Sequence, residues 1–359
     1  MKLDKKRLLM SSSPHVQTEE NTRSIMMDVI IALLFPLIMA VYFFGWRAAA
    51  LTVVSVASSV FAEWLYCRIA KKPHTIGDFS AAVTGMLIAM CLPVSVPMWI
   101  PVVGSFFAIV VVKQLYGGLG KNFLNPALTA RAFLYCWPSL ISVWIKPNLG
   151  ENALGIFSSV SRSSLSPDVI ASVTPLAKMK LGYLPGVAMG KIDVISGLRD
   201  VVVGNVAGCI GEVSAVVIIA AAIYLIIRRV ITIHIPLAYV GTVAVLTFLF
   251  PRGGNASWQW MIYSVCSGGL LFAAVFMATD YATSPVTARG RVIYGIGCGV
   301  LTVLIRYFGT YNEGVTYAIL IMNCCACFMD RVVRPRRFGV MKKKGKAVSV
   351  DESKDSGEA

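Results

Sequence analysis

Only 14% of the 359 residues carry charge, and acidic side chains number 18 against 33 basic ones. So little polar surface cannot cover a water-soluble globule of this length. Histidine occurs three times, at His15, His74 and His234, too scattered to assemble a metal centre or a catalytic triad. The chain has no Walker loop and no GxGxxG, which excludes nucleotide chemistry carried by the chain itself. An iron–sulfur or zinc site wants thiolates at fixed spacing plus further ligands elsewhere, and the nine cysteines do not supply that set. Cys324, Cys325 and Cys327 lie on one apolar helix at offsets that face different directions, and they read as buried free thiols. The first 23 residues are polar and charged throughout, so no cleavable signal peptide is read there.

What the chain has in abundance is hydrocarbon. Hydrophobic residues make up 57% of it and the mean hydropathy is +0.72. Apolar runs near the roughly 20 residues a membrane-crossing helix needs recur along the length. Ten are read, at about 25–44, 48–67, 79–96, 98–116, 123–141, 206–227, 232–250, 259–279, 292–308 and 313–330. The fold class is therefore an all-α polytopic membrane protein. Only Pro93, Val94, Ser95, Val96 and Pro97 separate the third run from the fourth.

The net charge of +15 invites a nucleic-acid partner, but its distribution argues for an orientation signal. Placing both termini in the cytoplasm gathers Lys2, Lys5, Lys6, Arg7, Arg23, Arg68, Lys71, Lys72, Arg228, Arg229, Arg289, Arg291 and the basic run after Arg331 on one side. Short loops on the other side keep Arg47, Arg252 and Arg306, the asymmetry of the positive-inside rule. Five regions follow: a cytoplasmic segment 1–24, five membrane runs in 25–141, an external loop 142–205, five more runs in 206–330, and a cytoplasmic tail 331–359, basic and then disordered.

Five is odd, so two repeated halves would sit upside down relative to each other. AAVTGMLIAMCLP in the third run resembles SVCSGGLLFAAVFM in the eighth, and YGGLGKNFLNPA corresponds in position to YFGTYNEGVTYA. Two segments read as broken helices: YGGLGKNFLNPALTARAF, with Asn122, Asn125 and Arg131, and GNVAGCIGEVSAVV, with Glu212. Irregular backbone at membrane depth is tolerated where it is buried in protein or lines a wet cavity. Helix packing explains the glycines equally well. Of the ionisable groups within or beside the runs, Asp28, Lys113 and Asp280 lie near boundaries where interfacial pairing accounts for them, and Glu63 is a further one. Arg131 and Glu212 are the candidates for a site or a structural ion pair.

The motifs SSPHV (12–16), GGLGKNFLNPALTAR (117–131), SVTPLAK (172–178), GNVAGCIGEVSA (204–215) and FMATDYATSPVTARGR (276–291) carry a resemblance. In them the chain resembles the D subunit of the Rnf electron-transport complex and, more distantly, the B subunit of the sodium-translocating NADH:quinone reductase. The resemblance implies ten helices in two inverted five-helix halves and an FMN joined by a phosphoester bond to a threonine, here Thr174. It implies a flavin transferase for maturation, other membrane and peripheral subunits as partners, and residence in a prokaryotic cell membrane. Ferredoxin and NAD would be end reactants of the complex and not ligands of this chain, which would relay electrons while sodium or protons move. It leaves room for a second, noncovalent flavin, for which Asn122, Asn125, Arg131 and Glu212 are the candidates. The family carries Ser or Thr three residues before the acceptor and Ala just before it, where this chain has Ala171 and Val173; Asp168 fits the family's acidic position. Pro175 pushes Thr174 toward extended backbone, and its hydroxyl is expected at the surface. The alternative class is a secondary transporter or channel for a small solute, which inverted halves and broken helices also fit.

Overall fold

The computed structural model describes residues 21–145 apart from His74, 174–182, 187–188, 191–192, 194–253, 256–309 and 313–333. The 12–16 motif, Asp168, Ala171, Val173, most of the 142–205 loop and the tail beyond 333 lie outside the described residues.

The first half comprises α1 (Thr22–Phe44), α2 (Trp46–Ile69), α3 (Ser80–Met90), α4 (Trp99–Phe106), α5 (Pro126–Leu134) and α6 (Pro138–Ile141). α4 runs on as a π-helix over Phe107–Gln114. Two small helices follow, α7 (Pro175–Lys180) and α8 (Val194–Val203), with a two-residue antiparallel ribbon between them in which β1 (Val187–Ala188) pairs with β2 (Lys191–Ile192). The second half holds α9 (Ala215–Ile227), α10 (His234–Leu249), α11 (Ser257–Cys266), α12 (Leu270–Phe276), α13 (Ala288–Phe308) and α14 (Val315–Val332).

Each of the ten apolar runs contains helix, but the helices differ in reach. α1, α2, α13 and α14 are long and apolar enough to cross a membrane, and α11 with α12 makes a fifth such segment bent by 52°. α3 has 11 residues, about 16 Å at 1.5 Å per residue, half a bilayer core. Proline ends these elements where sequence reading ran through them. Pro93 and Pro97 flank the turn after α3, and Pro138 separates α5 from α6 within the 123–141 run.

The second helix of each half is its packing hub: α2 holds α3 and α4, and α10 holds α11 and α13. α10 and α13 approach closely because α13 presents Gly295 and Gly299 one turn apart. A Cβ on Gly295 would stand 2.7 Å from Ala238 Cβ, and one on Gly299 2.6 Å from Thr242 Cβ. With lipid tails as apolar as leucine, such close backbone approach is what drives helix association in a membrane. The half-length helices form the centre. All of α12 is buried, and so is all of α3 except Ala82, which is half-buried. Helices apolar on every face are covered on every face. Cys324, Cys325 and Cys327 correct the sequence reading: all three are free but exposed, on the outer face of α14 beside Phe328. A run apolar on all sides does not disclose which face meets protein.

Candidate functional site

Thr174 precedes α7 with φ −60° and ψ 151°, the extended backbone that Pro175 requires. It is half-buried, not at the surface, because its hydroxyl caps α7, accepting from Ala177 N at 3.3 Å. Pro175 and Leu176 are buried beneath it. Leu176 is seated at the bend between α11 and α12, where Gly268 has φ +72° and a Cβ would fall 2.2 Å from Leu176 Cδ1. Beside it, Lys180, Arg252, Trp260, Arg306 and Tyr307 line a small pocket. Lys180 donates to Gly309 O at 2.7 Å, and the Arg252 guanidinium lies 4.7 Å from the centre of the Tyr307 ring.

Arg131 and Glu212 come together in a buried junction of the two halves. Arg131, from α5, pairs with the Glu313 carboxylate and stands 3.8 Å from Glu212 Oε1. Its Nη2 also lies 3.4 Å from Cys209 Sγ, which donates to Cys91 O at 3.1 Å. Glu212 ends a 3-10 turn (Ile210–Glu212), and Glu313 precedes Gly314, the residue before α14. Gly208 and Gly269 leave room for the Glu212 carboxylate: a Cβ on Gly269 would sit 2.7 Å from its Oε1, and one on Gly208 3.4 Å from its Oε2. Arg306 reaches the same region from α13, donating to Ser264 O, Ser267 O and Glu313 O.

Asn122 and Asn125 lie elsewhere. They line a mostly apolar cavity that opens to the outside, with Ser80, Thr84, Lys113 and Asp280 among its polar groups. Asn125 caps α5, accepting from Ala127 N and Leu128 N, and donates to Met277 O at 3.2 Å, which fixes the start of α5 against the end of α12. Burial pushes the Asp280 carboxyl up from its ordinary range, against the opposing pull of the Ala282 amide and the Thr283 hydroxyl. The structure thus divides Asn122, Asn125, Arg131 and Glu212 between a cavity and an ionic junction.

The remaining ionisable groups are paired. Glu63 Oε1 accepts from Lys113 Nζ at 2.9 Å, Gln114 Nε2 at 2.8 Å and Thr75 Oγ1 at 2.7 Å. Asp28 on α1 holds Arg228, just past α9, through two guanidinium nitrogens and accepts from Tyr224 OH. Sequence reading did not single out Glu313, Cys209 or Cys91. One signal was available for Glu313: in the corresponding stretches YGGLGKNFLNPA and YFGTYNEGVTYA it occupies the place of Asn122.

A family model described as the NQR2, RnfD, RnfE family matches residues 9–339. The chain is 44% identical over 341 residues to the D subunit of the Na(+)-translocating ferredoxin:NAD(+) oxidoreductase complex of Acetobacterium woodii, covering 95% of this chain and 98% of that protein. It is 35% identical to the D subunit of the proton-translocating ferredoxin:NAD(+) oxidoreductase complex of Clostridium ljungdahlii, covering 92% of this chain and 95% of the relative. It is also 35% identical to the D subunit of the ion-translocating oxidoreductase complex of Shewanella amazonensis, over 92% and 97% respectively. With apolar helices, a buried ionic junction and this near full-length similarity together, the chain is a multi-pass membrane protein that belongs to the NQR2, RnfD, RnfE family.

Proposed function

We propose that the chain is the membrane subunit of a Rnf-type ferredoxin:NAD oxidoreductase complex and relays electrons through an FMN phosphoester-linked to Thr174 while the complex moves sodium or protons. The observation that carries this reading is the seating of Thr174. Its hydroxyl opens a helix whose second residue, the buried Leu176, is wedged into the bend of the broken helix. A phosphoester oxygen still accepts a hydrogen bond, so attachment is compatible with the Ala177 contact. Trp260, Tyr307 and the Lys180 and Arg252 cations supply an aromatic and basic surface close by. The cofactor brings one-electron chemistry; the chain holds it in place and excludes its loss.

A second, noncovalent flavin is assigned to the Asn122–Asn125 cavity, with Thr84 and Lys113 as further polar groups on its wall. A separate flavin transferase makes the bond, ferredoxin and NAD bind other subunits, and both termini face the cytoplasm of a prokaryotic cell.

Thr174→Ala tests the assignment. The denatured band should lose its flavin fluorescence, while denaturant should still release free flavin from the assembled complex. A band that remains fluorescent would remove Thr174 as the acceptor, and a complex that yields no free flavin would remove the second site.

A further inference from the structure

Lys113 is only 2% exposed, yet it stands on the wall of the cavity with part of its hydrogen-bonding capacity unspent. Its Nζ donates to Glu63 Oε1 at 2.9 Å and to Ser80 Oγ at 2.7 Å. An ammonium has three N–H donors, and the third meets no acceptor among the described residues. A buried donor left unused is costly unless a ligand accepts from it.

The backbone is shaped to hold this arrangement. Lys113 and Gln114 end the π-helix that continues α4, where Leu115 N bonds to Val110 O and Gly118 N to Lys113 O, each five residues back. The wider turn brings neighbouring side chains toward one face, so Gln114 Nε2 also donates to Glu63 Oε1, at 2.8 Å. Thr75 Oγ1 adds a third donor to that oxygen at 2.7 Å. Short π-turns of this kind are frequent at functional sites.

The ion pair is a dipole with a direction. Lys113 and Ser80 line the cavity and Glu63 does not, so the cavity meets the positive end with the compensating carboxylate behind it. Asp280 is the other charged residue on the wall. Its carboxylate is engaged by its own turn, accepting from Thr283 Oγ1 at 3.2 Å and Ala282 N at 3.5 Å. A fixed charge beside the place where charge develops acts strongly in a water-poor site.

We propose that Lys113 contacts the pyrimidine edge of the noncovalent flavin and favours its reduced form, with Glu63 as the residue that positions the ammonium. A ring that gains two electrons from the complex and one proton from water carries its added negative charge along that edge. The chain meets it there with an N–H and a positive charge, and charge near the ring is one of the ways a protein tunes this cofactor. The inference rests on the noncovalent flavin reading of the cavity and adds what sets the flavin's affinity for electrons.

The test equilibrates the full chain, solubilised in detergent, with radiolabelled riboflavin at fixed pH, once oxidised and once reduced with excess dithionite. The ratio of the two dissociation constants is the quantity read. Glu63→Leu combined with Lys113→Met keeps the interior neutral and should lower the preference for reduced riboflavin by about tenfold, equal to about 30 mV in a two-electron couple. Lys113→Arg should retain the wild-type ratio. Lys113→Gln, which leaves a neutral donor at the wall, should also lower it and decides the matter if the double variant does not fold. Equal weakening of both states, or no change in either, would overturn the role of Lys113 while leaving the flavin in its cavity. A wild-type chain that binds no riboflavin in either state would overturn the cavity reading and this inference with it.

Discussion

Thr174 does two jobs with one oxygen. It is the proposed acceptor and, at the same time, the cap of α7. Thr174→Ala therefore costs more than loss of a surface hydroxyl, about 0.5–2 kcal/mol of local stability, while Thr174→Ser keeps the cap. Limited proteolysis between 174 and 182 should rank alanine as the most labile of the three; equal cleavage would mean that the cap is idle. Glu63 offers a second residue-scale test. It is fully buried, and Lys113 beside it is nearly so. Glu63→Ala leaves an unpaired ammonium inside the protein and should cost about 3–5 kcal/mol, whereas Glu63→Leu combined with Lys113→Met should recover most of it. The thermal midpoint of the solubilised protein reads the difference. If single and double variants melt together, the pair is not what holds α4 to α2. Both residues were legible in the sequence as charges inside apolar runs, and so were Arg131 and Glu212. Glu313 was not, because a glutamate between Asn312 and Gly314 at the edge of a run reads as ordinary loop.

At the scale of elements, run length located the helices and misjudged their reach. The 79–96 and 123–141 runs read as crossings, yet α3 stops at Met90 and α5 at Leu134. Hydropathy responds to an apolar surrounding and does not distinguish lipid from protein, so half-length helices buried in the centre score like full spans. The bend at Ser267–Gly269 has the same origin: three small residues inside an apolar run leave the average unaltered. The α10–α13 contact is where element packing is most exposed to substitution. Gly299→Leu would drive a branched side chain into Thr242 and the backbone of Tyr239. Overpacking of this kind costs about 1–3 kcal/mol or more, so the amount of protein recovered from membranes should fall sharply. Wild-type yield and melting in this variant would show that α10 and α13 can separate freely.

Among the described residues the ion pairs that join the halves fall in two places, Asp28 with Arg228 near one end and Arg131 with Glu212 and Glu313 in the interior. The first pair is partly exposed and contributes little, about 0–1 kcal/mol; the second is shielded from solvent and salt. Hydrophobic side chains such as Tyr42, Val53, Leu237, Leu249 and Phe308 cover much of the perimeter, as a surface facing lipid or neighbouring subunits requires. The basic-residue asymmetry then predicts the orientation. A reporter fused after Lys346 should read as cytoplasmic, and one inserted at Ser163 as external. Both reporters on one face would overturn the ten-segment topology. Matching stretches of sequence led us to expect two repeated halves. That the halves share an ionic centre was not visible there, because Arg131 and Glu313 are 182 positions apart.

Leu176 against Gly268 joins a connecting loop to the bend in the central helix, and neither position has spare volume. The two are therefore one unit of inheritance. A lineage that enlarges the residue at 268 must shrink the one at 176 or give up the seat of the proposed acceptor two positions earlier. Exchange of the 174–182 segment between distant relatives should accordingly succeed only when the matching bend travels with it.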